Sequence, residues 1–355
     1  MSVFLAPKGV IDDMQTKISR VWWSGKNRGQ FWSMLSWKNL CYPKGMGGLG
    51  FRDLHLFNLA LLGRKVWRLI NNKYTLCYQV LSSKYFPDGN IFNFKKVNRA
   101  SFTWKSIVAA ASVLKSGFGW QVGCGDRINI HTDNWGLEGL NGAAIKPYML
   151  ITNENSVRDL WHRESRRWNT CRVWELYGQD LGEKICSLPI GDENHYDRMV
   201  WFHNSLGIYN SKSAYSWLLL KQVGFGPHRF FWSADTLPKI RIFTWRVGND
   251  ILPANVKLAS IHHGLGYNCP RCGADYETLI HALKDCPSSK ATLMLGGLDS
   301  RVISKEYDRC IDWLEDMMRV LDKKAMADSM TILWNCWNSR NNRVFNGKEE
   351  EPKDI

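Results

Sequence analysis

The chain has no regular disulfide framework. Its ten cysteines include seven scattered singly, at Cys41, Cys77, Cys124, Cys171, Cys186, Cys310 and Cys336. That usage argues for a reducing compartment, nuclear or cytoplasmic, rather than a secreted scaffold. No stretch approaches the ~20 apolar residues that span a bilayer. The opening run MSVFLAPKGVIDDM is too short and too acidic for a secretory signal, so no membrane partner is expected. Nucleotide-binding fingerprints are missing too: YPKGMGGLG is glycine-rich but fits neither G-x-x-x-x-G-K-[ST] nor G-x-G-x-x-G. No Ser/His/Asp or Cys/His nucleophile pairing stands out, so an independent enzyme is not expected.

Acidic charge is scarce at one end. Residues 1–135 hold 19 Lys and Arg against 6 Asp and Glu, whereas residues 136–355 hold 28 against 27. The formal net charge of +14 therefore sits almost wholly in the first third. Such asymmetry points to a polyanion, most plausibly nucleic acid, be it RNA, DNA or a hybrid. An idle, solvated basic surface is the plainer alternative. The candidate phosphate contacts are Lys17, Arg20, Lys26, Arg28, Lys38, Lys44, Arg64, Lys65 and Arg68. The 18 tryptophans read mainly as core, with some faces available for stacking on bases.

The periodicity predicts a mainly α-helical α+β fold with short β-hairpins. An amphipathic helix is expected over residues 8–23, with Ile11, Met14, Ile18 and Val21 recurring at helical spacing. Asp12 and Asp13 fall in its expected first turn and read as structural. A second helix carries Leu54, Phe57, Leu61 and Leu62 on one side, and Ser101 is expected to cap a third. GWQVGCGDRINIHTDNW and RMVWFHNSLGIYN each alternate about a turn and read as hairpins. Residues 157–190, opening with LWHRESRRW, read as helical, and Ser211 as the cap of KSAYSWLLLKQ. In LPKIRIFTWRVGNDILP, Ile240, Phe243, Thr244 and Val247 share one face. The tail NGKEEEPKDI reads as polar and loose.

The most specific signal is CPRCGADYETLIHALKDCP. Cys269, Cys272, His281 and Cys286 follow a C-x2-C-x8-H-x4-C spacing. Three thiolates and one imidazole suit a single tetrahedral zinc of the structural kind, with no position left for water. A short helix is expected to carry His281 and to end at Cys286, where Pro287 stops it. The plainer reading is three buried cysteines and a core histidine, which chance rarely packs so closely. His262 and His263 lie upstream and read as surface residues. The small zinc-stabilised domain is placed at residues 196–292. Residues 1–135 form a basic, Trp-rich region, 136–195 a mixed-charge linker region and 293–355 a C-terminal helical segment.

Taken in order, these blocks resemble the region downstream of the polymerase core in plant non-LTR (LINE-type) retrotransposon reverse transcriptases. The resemblance is carried by WWSGKNRGQFWSMLSWKNLCYPKGMGGLGFRDLHLFNLALLGRKVWRL and by GIYNSKSAYSWLL. It continues through LPKIRIFTWRVGNDILPANVKLASIHHG, the Cys/His quartet and ILWNCWNSRNNRVFNGK. It implies a thumb-like or connector-like basic region followed by a reverse transcriptase zinc-binding domain. The Tyr-X-Asp-Asp hairpin of the family's polymerase is not found, so a non-catalytic, nucleic-acid-binding portion is implied. Two alternatives stand beside it: a zinc-stabilised module that assembles on a polymerase core encoded elsewhere, or a non-functional retroelement fragment.

Overall fold

The computed structural model describes residues 1–25, 32–95, 97–149, 153–162, 165–191, 195–221, 232–261, 264–348 and 350–355. In chain order the described helices begin with α1 (Lys8–Ser24), α2 (Trp37–Cys41), α3 (Leu54–Asn71), α4 (Leu76–Tyr85) and α5 (Phe102–Leu114). They continue with α6 (Thr170–Tyr177), α7 (Gln179–Cys186), α8 (Ser211–Leu220), α9 (Pro238–Gly248) and α10 (Asn255–Ile261). The last are α11 (Pro287–Leu295), α12 (Ser300–Ser304), α13 (Cys310–Val320) and α14 (Lys323–Asn346). The strands are β1 (Phe118–Gln121), β2 (Trp161–His162), β3 (Arg167–Trp168) and β4 (Arg198–Trp201). The fold is mainly α with short two-stranded sheets, as the periodicity predicts. No described helix is long and apolar enough to cross a membrane.

The chain divides into two compact units. Unit one is Met1–Thr16 with Asp53–Val223; unit two is Lys17–Arg52 with Gly224–Ile355.

In unit one, α3 packs against α5 and α8. The Asp53 carboxylate caps α3 by accepting the Leu56 amide at 2.9 Å, and Ser101 Oγ caps α5 by accepting the Trp104 amide at 3.2 Å. Of the expected face of α3 only Leu62 is buried; Leu54, Phe57 and Leu61 are half-buried, and the core side is formed by Leu56, Leu59, Ala60, Leu62 and Val66. Gly63 sits mid-helix because a Cβ there would lie 2.0 Å from Tyr209 Oη. That hydroxyl donates to the Ala60 carbonyl at 2.6 Å. Buried Asn58 holds the N-terminal segment, accepting the Ala6 amide at 2.7 Å and donating to the Phe4 carbonyl at 3.2 Å.

Neither predicted hairpin forms. Instead β1 pairs antiparallel with β4, Phe118 opposite Trp201 and Gln121 opposite Arg198. The reason lies in the Gly-Cys-Gly-Asp loop. Buried Asp197, just before β4, accepts the amides of Gly123 and Gly125 at 2.7 and 2.8 Å, and that of Arg127 at 3.0 Å. The loop wraps around this carboxylate and so cannot return along β1. The LWHRESRRW run also departs from expectation, since its described residues form the antiparallel pair β2–β3, with Trp161 opposite Trp168. The cap of α8 is Asn210, whose Oδ1 accepts the Ser213 amide at 2.8 Å, one residue before the expected Ser211.

In unit two, one core joins α9, α13 and α14 through Ile240, Phe243, Val247, Leu314, Met317, Met330 and Leu333. Leu279, Ala282, Leu283 and Leu293 enter the same core from the segment that bears the Cys/His quartet. A second cluster forms around Leu40, Trp245 and Ile251, with Trp22, Trp37 and Phe51 against it. Trp245 Nε1 donates to the Gly47 carbonyl at 2.7 Å, and a Cβ on Gly48 would lie 2.0 Å from the Tyr42 carbonyl oxygen. The glycine-rich loop is thus a close-packed turn. The tail is tied down rather than loose: Ile355 packs on the core and its carbonyl accepts Asn335 Nδ2 at 3.0 Å.

Helix α1 also departs from its pattern. Ile11 is buried, but Val10, Met14, Ile18 and Val21 are exposed. Asp12 and Asp13 lie in its second turn, beyond the first-turn amides.

Candidate metal centre

The structure brings all four residues of the quartet together. One donor atom from each of Cys269, Cys272, His281 and Cys286 lies within 4.8 Å of every other. Cys269 Sγ is 3.9 Å from Cys286 Sγ, and Cys272 Sγ is 3.3 Å from His281 Nε2. Zinc bonds of ~2.3 Å to sulfur and ~2.0 Å to nitrogen give tetrahedral edges of roughly 3.8 and 3.5 Å. The donor set and its spacing therefore fit one zinc ion.

Local backbone geometry explains the convergence. Pro270 and Arg271 form a tight knuckle, closed by the Gly273 amide donating to the Cys269 carbonyl at 2.9 Å. Gly273 takes a φ of +76°, which a side chain would strain. The Cys269 amide donates to the Ala274 carbonyl at 2.8 Å, and the amides of Arg271 and Cys272 turn toward the Cys269 sulfur. On the other side, His281–Asp285 is a π-turn, with the Cys286 amide donating to the His281 carbonyl at 2.8 Å. This wider turn sets His281 and Cys286 to face one centre, and such turns recur at functional sites. Pro287 does not merely stop a helix. It opens α11 at its first position, where its missing N–H costs nothing.

The electrostatics suit an anionic centre. Hydrogen bonding with Cys286 lowers the Cys269 thiol below its ordinary range, while the same contact and burial raise that of Cys286. Three thiolates around a dication leave one net negative charge, and the Arg271 guanidinium favours the ionised form of Cys286. Arg271 Nη2 donates to Ser289 Oγ at 2.7 Å and to the Ala282 carbonyl. Its buried Nε and Nη1 have no hydrogen-bond partner among the described residues. Arg271 thus ties the knuckle to the π-turn and places positive charge at the thiolates.

Sequence spacing did not reveal a second support. Glu277, between the two ligand pairs, is fully buried and bonded to Arg340 of α14 at 2.9 Å through Nε. The same carboxylate accepts the Asn255 amide at 2.9 Å, and Asn255 Nδ2 donates to the Asn268 carbonyl at 2.7 Å. Arg340 stands in a polar run, NSRNNR, with nothing to mark it as buried.

The candidate phosphate contacts are not gathered on one unit. Lys17, Arg20, Lys38 and Lys44 belong to unit two, and Arg64, Lys65 and Arg68 to unit one. Lys17, Lys38, Lys44, Arg64 and Arg68 are exposed, while Arg20 and Lys65 are half-buried. Lys44 Nζ lies 4.7 Å from the Trp232 ring centre. Lys26, Arg28, His262 and His263 fall outside the described residues.

Residues 209–292 match the family described as zinc-binding in reverse transcriptase. Two curated proteins of Arabidopsis thaliana are similar to the chain. One, provisionally named a ribonuclease H protein, is 25% identical across 100% of this chain and 59% of its own length. The other, an uncharacterized mitochondrial protein, is 33% identical over 136 residues, which are 38% of this chain and 88% of the relative. The chain thus spans well under two thirds of the longer relative. No solved structure matches it.

Proposed function

We propose, from the premise that this chain belongs to the reverse-transcriptase zinc-binding proteins of plant retroelements, that it is a nucleic-acid-binding region and not itself a catalyst. The observation that carries this reading is the convergence of three thiols and one imidazole on a single point in unit two. Cys269, Cys272, His281 and Cys286 would hold one zinc, and the zinc would supply a rigid cross-link. Four protein ligands fill its tetrahedral shell, which leaves no position to activate water.

Affinity would come from exposed basic side chains, among them Lys17, Lys38, Lys44, Arg64 and Arg68. Contacts of this kind grip phosphates with little sequence preference. An intracellular site of action keeps the thiols reduced. The test is fluorescence anisotropy of a labelled RNA–DNA hybrid, titrated with the full chain across a salt series, with zinc and after chelation. Steeply salt-dependent binding that weakens on chelation supports the reading. No binding at moderate salt overturns it.

Assembly on a polymerase core is a second reading, and one observation favours it. Val10, Met14, Ile18 and Val21 form an exposed apolar stripe along α1. Salt-insensitive, weak nucleic-acid binding, together with binding to a separately supplied polymerase core that Met14→Glu abolishes, would favour this reading over the first.

A further inference from the structure

A groove crosses unit one, away from the candidate contacts on α3. Three hollows of 240, 430 and 390 Å³ adjoin one another. The first two share Gln121, Val122, Pro189 and Arg198, and the second and third share Gly191. The groove therefore runs from Trp201 and Phe202, past Arg198 and Tyr196, to Trp161 and Arg166. We infer that it binds single-stranded nucleic acid, the backbone on Arg198 and neighbouring Arg127 and a base stacked on Tyr196. This rests on the nucleic-acid-binding reading and names a different surface and ligand form.

Three observations carry it. The first is charge left over for a ligand. Asp126 is matched by Arg158 at 2.8 Å, Asp159 caps its own turn by accepting the Ser156 amide at 2.8 Å, and Asp197 is spent on loop amides. Among the described residues no ion pair joins Arg198, which lines the groove, or Arg127, beside Tyr196, to a carboxylate.

The second is an open aromatic platform. Tyr196 is 71% exposed, and the Arg127 guanidinium lies 5.4 Å from its ring centre. An exposed ring backed by a cation offers a flat face to an unstacked base. A duplex hides those faces in its own stack, so the single strand is the better match. The third is preorganisation. Arg198 Nε donates to Gln121 Oε1 at 2.7 Å, which holds its fork above β1. At the far end the buried indole nitrogen of Trp161 has no hydrogen-bond partner among the described residues.

The test uses the zinc-loaded full chain and labelled single strands of about ten nucleotides, DNA and RNA separately, with a duplex as control. Tyr196→Ala should lower single-strand affinity about tenfold, and Tyr196→Phe should keep it. Arg127→Gln with Arg198→Gln should reduce the salt slope by about 1.4, at ~0.7 per lost phosphate contact on a single strand. The RNA and DNA arms report which sugar is preferred. If Tyr196→Ala and the double variant both bind like the parent, the groove is not the site, whatever α3 does. Equal losses on the duplex would overturn the single-strand assignment. If the parent binds no nucleic acid, the broader reading fails with it.

Discussion

Arg340 Nε donates to Glu277 Oε1 at 2.9 Å with both side chains almost wholly out of solvent. The pair crosses 63 positions of chain and joins the quartet's segment to the longest described helix. Removing one member leaves the other charge buried alone. Arg340→Met should destabilise unit two by about 3–5 kcal/mol, read as a lower urea midpoint. A loss below about 1 kcal/mol would mean the carboxylate finds water in the native state.

Loss of one quartet thiol should act on the fold as well as on metal content. Cys272 is exposed, so its own packing contributes little. Cys272→Ser is expected to lose zinc and to unprotect amides in residues 265–290, because metal binding at such sites is folding free energy. Zinc analysis and hydrogen exchange together check this. A variant that keeps full zinc content would remove Cys272 from the ligand set.

Asp197 organises the loop after β1 through three amides. Asp197→Ala leaves those donors without their acceptor in a buried place. Chemical denaturation should show a loss of about 3 kcal/mol or more. Near-parental stability would show that water replaces the carboxylate.

Arg64 lies exposed on α3 beside half-buried Lys65. The double variant Arg64→Ala, Lys65→Ala should lower the salt slope of hybrid binding by up to ~2. An unchanged slope removes this pair from the footprint.

Asp299 caps α12, accepting the Arg301 amide at 2.8 Å and the Arg301 guanidinium at 2.7 Å. These hydrogen bonds, the guanidinium's first, hold its carboxyl down at about 2, below the ordinary 3.8. A depressed acid stabilises the fold above its unfolded pKa and loses that contribution as pH falls through the folded one. The window here runs from about pH 4 down to about pH 2. Carboxyl-carbon NMR should place the Asp299 titration near 2, and Arg301→Gln should move it upward. An ordinary value in the parent chain would show that the pair does not persist in solution.

What could be read from the sequence was what short range controls. The quartet occupies eighteen residues, so a knuckle and one turn suffice to bring its donors together. The cap at Ser101 and the buried face of α9 likewise depend on residues a few positions apart. The hairpins misled because alternation marks a strand but does not name its partner. Gln121 meets Arg198 across 77 positions only because Asp197 captures the intervening loop. The helical pattern of α1 told where its apolar stripe lies, but not that Met14 and Ile18 would stay exposed. Periodicity sets the direction of side chains along one element. Which surface receives them, which charge is buried against which, and where a groove opens depend on elements distant in sequence, and tertiary packing decided those.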